Sequence, residues 1–248
     1  MTKREIIVCR DADELNRRAA AQFVALANDA IARSGRFAVA LSGGLTPKAL
    51  YSLLASSDYR KRVDWLRVHL LWGDERCVPP DHPESNYRMV REALLSQIQI
   101  PPENIHRMVG EIDPEQAAVS YAAELKQFFH LDENGLPRFD LIFLGLGEDG
   151  HTASLFPGSA ALEETDRLVA TAYVEKLHAH RLTLTLPAIN AAAQVNFLVS
   201  GQSKAAMVEK ILGAGAARPD SPAARVAPAD GQLTWFVDGT AAARLSKP

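Results

Sequence analysis

The chain has 248 residues, 47% apolar and 23% charged, which excludes a disordered or fibrous protein and supplies a sizeable core. Its 27 Lys and Arg against 30 Asp and Glu leave a net charge of −3 and no basic block, so nucleic acid is not expected as a partner. Cys9 and Cys77 are too few for a disulfide framework or a cysteine-rich metal site and suit a reducing compartment, while the first apolar run, residues 6–9, is too short for export or membrane insertion; the cytoplasm is the expected location.

In chain order, Leu15, Ala19, Phe23, Leu26 and Ala30 recur at helical spacing behind Asp11 and Asp13, and Gly35 closes that helix. Short apolar runs follow at 37–41, 68–72, 139–144, 195–199 and 233–237, with helical segments at 47–55, 86–98, 114–129 and 203–212 among them. Consecutive apolar residues suit parallel strands buried on both faces. The alternation predicts a single α/β domain over 1–248, an open, mostly parallel Rossmann-like sheet with helices on both faces. Segments 168–174 and 181–186 predict a small additional β element, a hairpin or edge addition, and 213–228 reads as a loop.

Ligands of parallel α/β sheets bind beyond the carboxyl ends of strands, so the residues directly after each apolar run are the candidates. Ser42, Gly43 and Gly44 follow the first run, with Thr46 suited to a helix N-cap and Pro47 to the first helical position. That loop reads either as a phosphate cradle made of close backbone and helix-start amides or as a plain capped turn, and it lacks the Lys of a P-loop. After the second run come Gly73, Asp74, Glu75 and Arg76. Arg76 offers a planar fork for phosphate or carboxylate, although a charged triplet in a loop also reads as solvated surface. Cys77 beside it has no evident base to activate it.

The run 139–144 leads into GLGEDGHTASLFPGS, a formal GxGxxG match at Gly145, Gly147 and Gly150 with Glu175 near the place of a ribose-binding acid. The dinucleotide reading fails, because Pro157, Gly158 and Ser159 interrupt any helix that starts on those glycines. A tight turn presenting Asp149 and His151 at the strand end fits better, and an imidazole there suits proton transfer near neutrality. After the run 195–199, Ser200 and Gly201 precede Lys204 in the first turn of a helix, where a cation opposes the helix dipole unless an anion is bound nearby. His178 and His180 are expected on one face of a strand, but no third ligand sits at a recognisable spacing and no metal site is expected. The GxSxG of a serine hydrolase elbow is absent.

Taken together, LSGGLTP, WGDER with SNYR, GLGEDGHTASLFPGS, RLTLTLPAIN and SGQSKAAM resemble, in order and over almost the whole chain, the 6-phosphogluconolactonase family, pentose phosphate pathway hydrolases related in fold to glucosamine-6-phosphate deaminases. The resemblance implies that Ser42, Gly43, Gly44, Thr46, Arg76 and Lys204 hold the phosphate and sugar of a phosphosugar lactone. It makes His151 the general base, and it places Asp149 beside that base and Arg181 among the substrate-binding groups. Related deaminases carry a Glu five residues after the corresponding His; here that residue is Phe156. The LHAH before RLTLT departs from a proline-containing stretch found in many members and leaves the roles of His178 and His180 open. The implied reaction, water attack on a lactone carbonyl assisted by His151, requires no metal or organic cofactor. A phosphosugar isomerase or deaminase and a non-catalytic phosphosugar-binding regulator are the alternatives.

Overall fold

The computed structural model describes residues 3–175, 178–213 and 220–245. In chain order the elements are β1 (Lys3–Cys9), α1 (Ala12–Ser34), β2 (Phe37–Leu41), α2 (Leu45–Leu54), β3 (Val68–Trp72), β4 (Asp74–Arg76), α3 (Asn86–Ala93), β5 (Ile105–His106), α4 (Pro114–Phe129) and β6 (Leu141–Leu144). They continue with β7 (Val169–Val174), β8 (Ala179–Leu184), α5 (Leu186–Asn190), β9 (Gln194–Val199), α6 (Ala205–Leu212), α7 (Pro222–Arg225) and β10 (Gln232–Asp238). Seven strands form one parallel sheet in the order β1-β10-β9-β6-β2-β3-β5, and β4, β8 and β7 form a second, antiparallel sheet.

Every residue of β2, β6 and β9 is buried, which is why β2 and β6 read as unbroken apolar runs and β9 is broken only by Gln194 and Asn196. Helix α1 starts where the Asp11 carboxylate accepts the Glu14 N–H at 2.7 Å, and it ends at Gly35 with φ 79°. Its Leu15, Ala19, Phe23, Ala27 and Ala30 are buried, and Phe23 meets the Phe37 ring edge to face at 5.3 Å. Burial of a ring like this contributes roughly 1.5–3 kcal/mol. On β9 and β10, Phe197 and Trp235 are register partners whose rings stack at 3.8 Å.

The expected strands and helices are present, β2, β3 and α4 with the expected ends and others with shifted ones. Strand β6 begins at Leu141 because the Asp140 side chain turns back to accept the Ala38 N–H at 2.8 Å. The segment 86–98 is helical only to Ala93 before a 3₁₀ turn at Leu95–Gln97, and 203–212 opens with the 3₁₀ turn Gln202–Lys204. Helix α2 starts two residues earlier than its cap chemistry suggested: Gly44, not Thr46, is the N-cap, at φ 104°, a conformation that glycine adopts without strain. The expected loop 213–228 contains α7, with Pro222 at its first turn, while residues 214–219 lie outside the described residues. The hairpin expected near 168–186 is β7 paired with β8, and it belongs to the second sheet rather than the edge of the first.

Gly73 joins the two sheets. Its N–H donates to the Leu41 carbonyl of β2, and its carbonyl accepts from the Leu184 N–H of β8, both at 2.8 Å. The chain from β2 runs to β3 and β5 on one side, whereas β6 leads to β9 and β10 on the other, so the strand order reverses between β2 and β6. A crevice opens at the carboxyl ends of strands at such a reversal.

Candidate active site

The crevice is a cleft of about 360 Å³, lined by the loop after β2 (Ser42, Gly43, Gly44 and Thr46), by Asp74 and Arg76 of β4, by His151 and Ala153 after β6, and by Ser200 and Lys204 after β9. Residues singled out from four separate stretches of sequence therefore meet at one place. Arg181 and Asp149 are not part of this lining; the first lies opposite Arg76 across the β4–β8 ladder and the second against the His151 ring. A larger groove of about 580 Å³ lies elsewhere, between α4 and β7, where Lys126 is tied to the Glu133 carbonyl and Arg167 to Glu115 and Glu164. No histidine or cysteine among the described residues lines it.

The loop after β2 is held by Tyr51, whose hydroxyl accepts the Ser42 N–H and donates to the Ser42 carbonyl, each at 3.0 Å. Burial keeps that phenol protonated well above the ordinary tyrosine range. The Ser42 hydroxyl is itself buried and has no partner, a donor available to a ligand.

The Asp74–Glu75–Arg76 triplet is not solvated surface. Glu75 is buried and accepts the N–H groups of Arg76, Asn86 and Tyr87 at 2.7–2.8 Å and the Ser85 hydroxyl at 3.2 Å, so it anchors the start of α3. Asp74 is also buried; it accepts the Ser154 hydroxyl at 2.8 Å, and the Asn86 amide donates to its carbonyl at 2.9 Å. Asp74, Asn86 and Ser154 tie together the segments that carry Arg76, α3 and His151, and sequence reasoning did not single out this network. Only the SNYR string hinted at Asn86.

Arg76 donates through Nη1 to the Glu84 carbonyl at 2.8 Å, but its Nε is buried and unpartnered, as is that of Arg181. Burial first, then the nearby Arg76 guanidinium, lowers Arg181 from the ordinary arginine value. Among the described residues, neither of these arginines nor Lys204 forms an ion pair with a carboxylate. Cations held out of ion pairs, with orphaned N–H groups, suit the binding of an anion.

No helix begins on the glycines after β6. The chain instead makes a tight turn, with Gly147 N–H donating to the His151 carbonyl at 2.8 Å and Gly150 N–H to the Gly147 carbonyl at 3.1 Å. These two amides, candidates for stabilising an oxyanion, are spent on the turn itself. Asp149 Oδ1 accepts both from the His151 backbone N–H at 3.1 Å and from Nδ1 of the ring at 2.6 Å. Burial alone would raise the Asp149 pKa, but these hydrogen bonds outweigh it and hold the carboxyl below the usual range. An ionised carboxylate only accepts, so Nδ1 carries the proton and Nε2 is left as the basic nitrogen. The Phe156 ring packs on the imidazole at 4.6 Å between centroids.

One expectation takes a different form. His178 lies in the turn before β8 at φ 46° rather than on a strand face with His180, and its ring contacts the Tyr173 hydroxyl at 3.4 Å. No group of three or more His, Cys, Asp or Glu able to hold a metal occurs among the described residues. Cys77 is no activated thiol, since burial pushes it up to about 11. No helix among the described residues is long and apolar enough to cross a membrane.

Comparison with known proteins agrees with this geometry. The family model described as glucosamine-6-phosphate isomerases/6-phosphogluconolactonase matches residues 10–235. The chain is 48% identical over 217 residues to a 6-phosphogluconolactonase of Synechocystis sp., covering 87% of this chain and 88% of that one. It is 41% identical over 218 residues to the 6-phosphogluconolactonase of Nostoc sp., covering 88% of each. The solved 6-phosphogluconolactonase of Trypanosoma brucei superposes with a TM-score of 0.88 at 29% identity, covering 99% of this chain and 100% of that one. By sequence and by fold, the chain belongs to the glucosamine-6-phosphate isomerase/6-phosphogluconolactonase family.

Proposed function

We propose that this protein hydrolyses 6-phospho-D-glucono-1,5-lactone to 6-phosphogluconate, the lactonase step of the oxidative pentose phosphate pathway, in the cytoplasm. The observation that carries the chemistry is the 2.6 Å contact between Asp149 and Nδ1 of His151, which leaves a basic Nε2 on a residue lining the same cleft as Arg76 and Lys204. The curated names of relatives matched over most of their length supply the substrate class.

In this reading, Nε2 of His151 takes a proton from water as the water oxygen bonds to C1. The tetrahedral intermediate then collapses, the bond from C1 to the ring oxygen breaks, and the imidazolium returns its proton to that oxygen. The new carboxylic acid ionises, so each turnover releases one proton. Asp149 holds the imidazole in the working tautomer and offsets the positive charge it gains. Arg76, Lys204, the Ser42 hydroxyl and the amides of Gly43, Gly44 and Thr46 bind the distant phosphate, with Arg181 supporting Arg76, and their contacts position C1 at His151.

Freshly generated 6-phosphogluconolactone is expected to open with one proton released per turnover above the spontaneous rate, while glucosamine 6-phosphate yields no ammonia. Phe156, apolar and packed on His151, stands where the deaminase relay has a carboxylate. Ammonia release without acceleration of lactone opening would assign the chain to the deaminase branch. Silence on both substrates with tight phosphosugar binding would make it a regulator.

A further inference from the structure

Asp238 ends β10 beside the end of β9, where Val237 pairs with Val199, and its carboxylate is buried. Every neighbour bonded to it is a donor. Oδ2 accepts the Ser200 hydroxyl at 2.5 Å and the Gly201 N–H at 3.2 Å, while Oδ1 accepts the Thr240 hydroxyl at 2.8 Å and the Ala241 N–H at 2.7 Å. Burial alone would raise this carboxyl, yet the donors hold it below the ordinary range. It is therefore ionised at neutral pH and can only accept.

A serine hydroxyl has one proton, and the proton of Ser200 is committed to Asp238. Ser200 is nonetheless partly exposed and lines the cleft between Val199 and Lys204, so it offers that space lone pairs and no donor. A phosphate dianion has only acceptor oxygens at neutral pH and gains nothing from such a group. An alcohol does, because it can donate. Ser42 has the opposite character, since its hydroxyl has no partner and is free to donate to an anion. We propose that Ser200, with its proton held by Asp238, is a specificity residue that accepts a hydrogen bond from one alcoholic hydroxyl of the phosphosugar substrate. Asp238 is the positioning residue that fixes the polarity of this contact. The inference rests on the lactonase reading and adds to it how the sugar, as distinct from its phosphate, is recognised.

The test measures dissociation constants of 6-phosphogluconate, its monodeoxy analogues and inorganic phosphate on the wild type, Ser200→Ala and Ser200→Thr. Loss of one neutral hydrogen bond predicts that Ser200→Ala binds 6-phosphogluconate about threefold to tenfold more weakly. Ser200→Thr, which keeps the hydroxyl, restores binding, and inorganic phosphate binds both variants as it binds the wild type. One monodeoxy analogue, lacking the hydroxyl in question, binds wild type and Ser200→Ala alike. In turnover, the Ser200→Ala loss falls on KM rather than kcat.

Equal weakening of every analogue and of inorganic phosphate would make Ser200 a structural or phosphate-binding residue, and unchanged binding by Ser200→Ala would leave it no part in recognition; either result overturns the inference. Wild-type turnover of the phosphorylated lactone is measured alongside. A wild type that hydrolyses lactone while Ser200→Ala binds normally removes this inference alone, and a wild type that neither turns over nor binds removes the lactonase reading with it.

Discussion

Asp149 presents one oxygen to two donors of the same residue, and this answers a question that spacing alone leaves open. A carboxylate two positions before a histidine can orient the ring or brace the turn; here Oδ1 does both. A glycine-rich turn after a strand is visible in sequence because glycine leaves a mark. The bonding of Asp74 with Asn86 and Ser154 leaves none, since it comes from three distant segments meeting, with Ser154 and Asp74 80 positions apart. The chemistry at His151 predicts that His151→Ala and His151→Gln each lower kcat by roughly 10²-fold or more, the usual contribution of a general base. Affinity for 6-phosphogluconate should stay close to that of the wild type, because a base acts on the transition state. Steady-state kinetics beside calorimetry checks the split, and retention of more than about a tenth of wild-type kcat by both variants would remove His151 from the mechanism.

At the scale of elements, strands buried on both faces announce themselves, and β2 and β3 match their apolar runs residue for residue. Strands β4 and β5, of three and two residues, carry no period long enough to read. Their pairing is set by partners distant in sequence, Arg76 against Arg181 and Leu71 against His106. The turn after β6 is an element too, and its tolerance can be tested. A Cβ on Gly147 would lie 2.1 Å from Nδ1 of His151 and 2.6 Å from Oδ1 of Asp149, closer than any real contact. Gly147→Ala must therefore push the pair apart, and a displacement of about 1 Å in a reacting group can cost on the order of 10²-fold in rate. A large fall in kcat with a melting temperature near that of the wild type is expected. Near-normal kcat in a folded Gly147→Ala would mean that the Asp149–His151 geometry is not what sets the rate.

For the whole molecule, placing the cleft at the reversal of strand order gathers the site at the carboxyl ends of β2, β6 and β9 and on β4, which follows β3, and leaves the β5 edge of the sheet outside it. A different titration sits at that edge. His69 on β3 lies 3.2 Å from His106 of β5 between Nδ1 and Nε2, and both rings pack against Phe128, over which Arg36 is stacked. Glu124 meets the other nitrogen of His106 at 2.8 Å, so the one carboxylate bonded to the pair serves the outer ring. Burial, followed by His106 and Arg36, lowers His69 from 6.5 to about 4. As pH falls through 6.5, the unfolded chain takes up a proton on this residue that the folded protein refuses until about 4, so stability declines across that window. The depressed carboxylates act lower: Glu14 and Glu164, brought from 4.5 to about 2 chiefly by backbone hydrogen bonds, contribute stability above 4.5 that is lost between there and about 2. The two windows hardly overlap, so they can be separated by experiment. Thermal melts from pH 7 to 4.5 should show a shallower fall in melting temperature for His69→Gln than for the wild type, whatever the offset at pH 7. Parallel curves would mean that His69 takes up its proton at the same pH in the folded and unfolded chains.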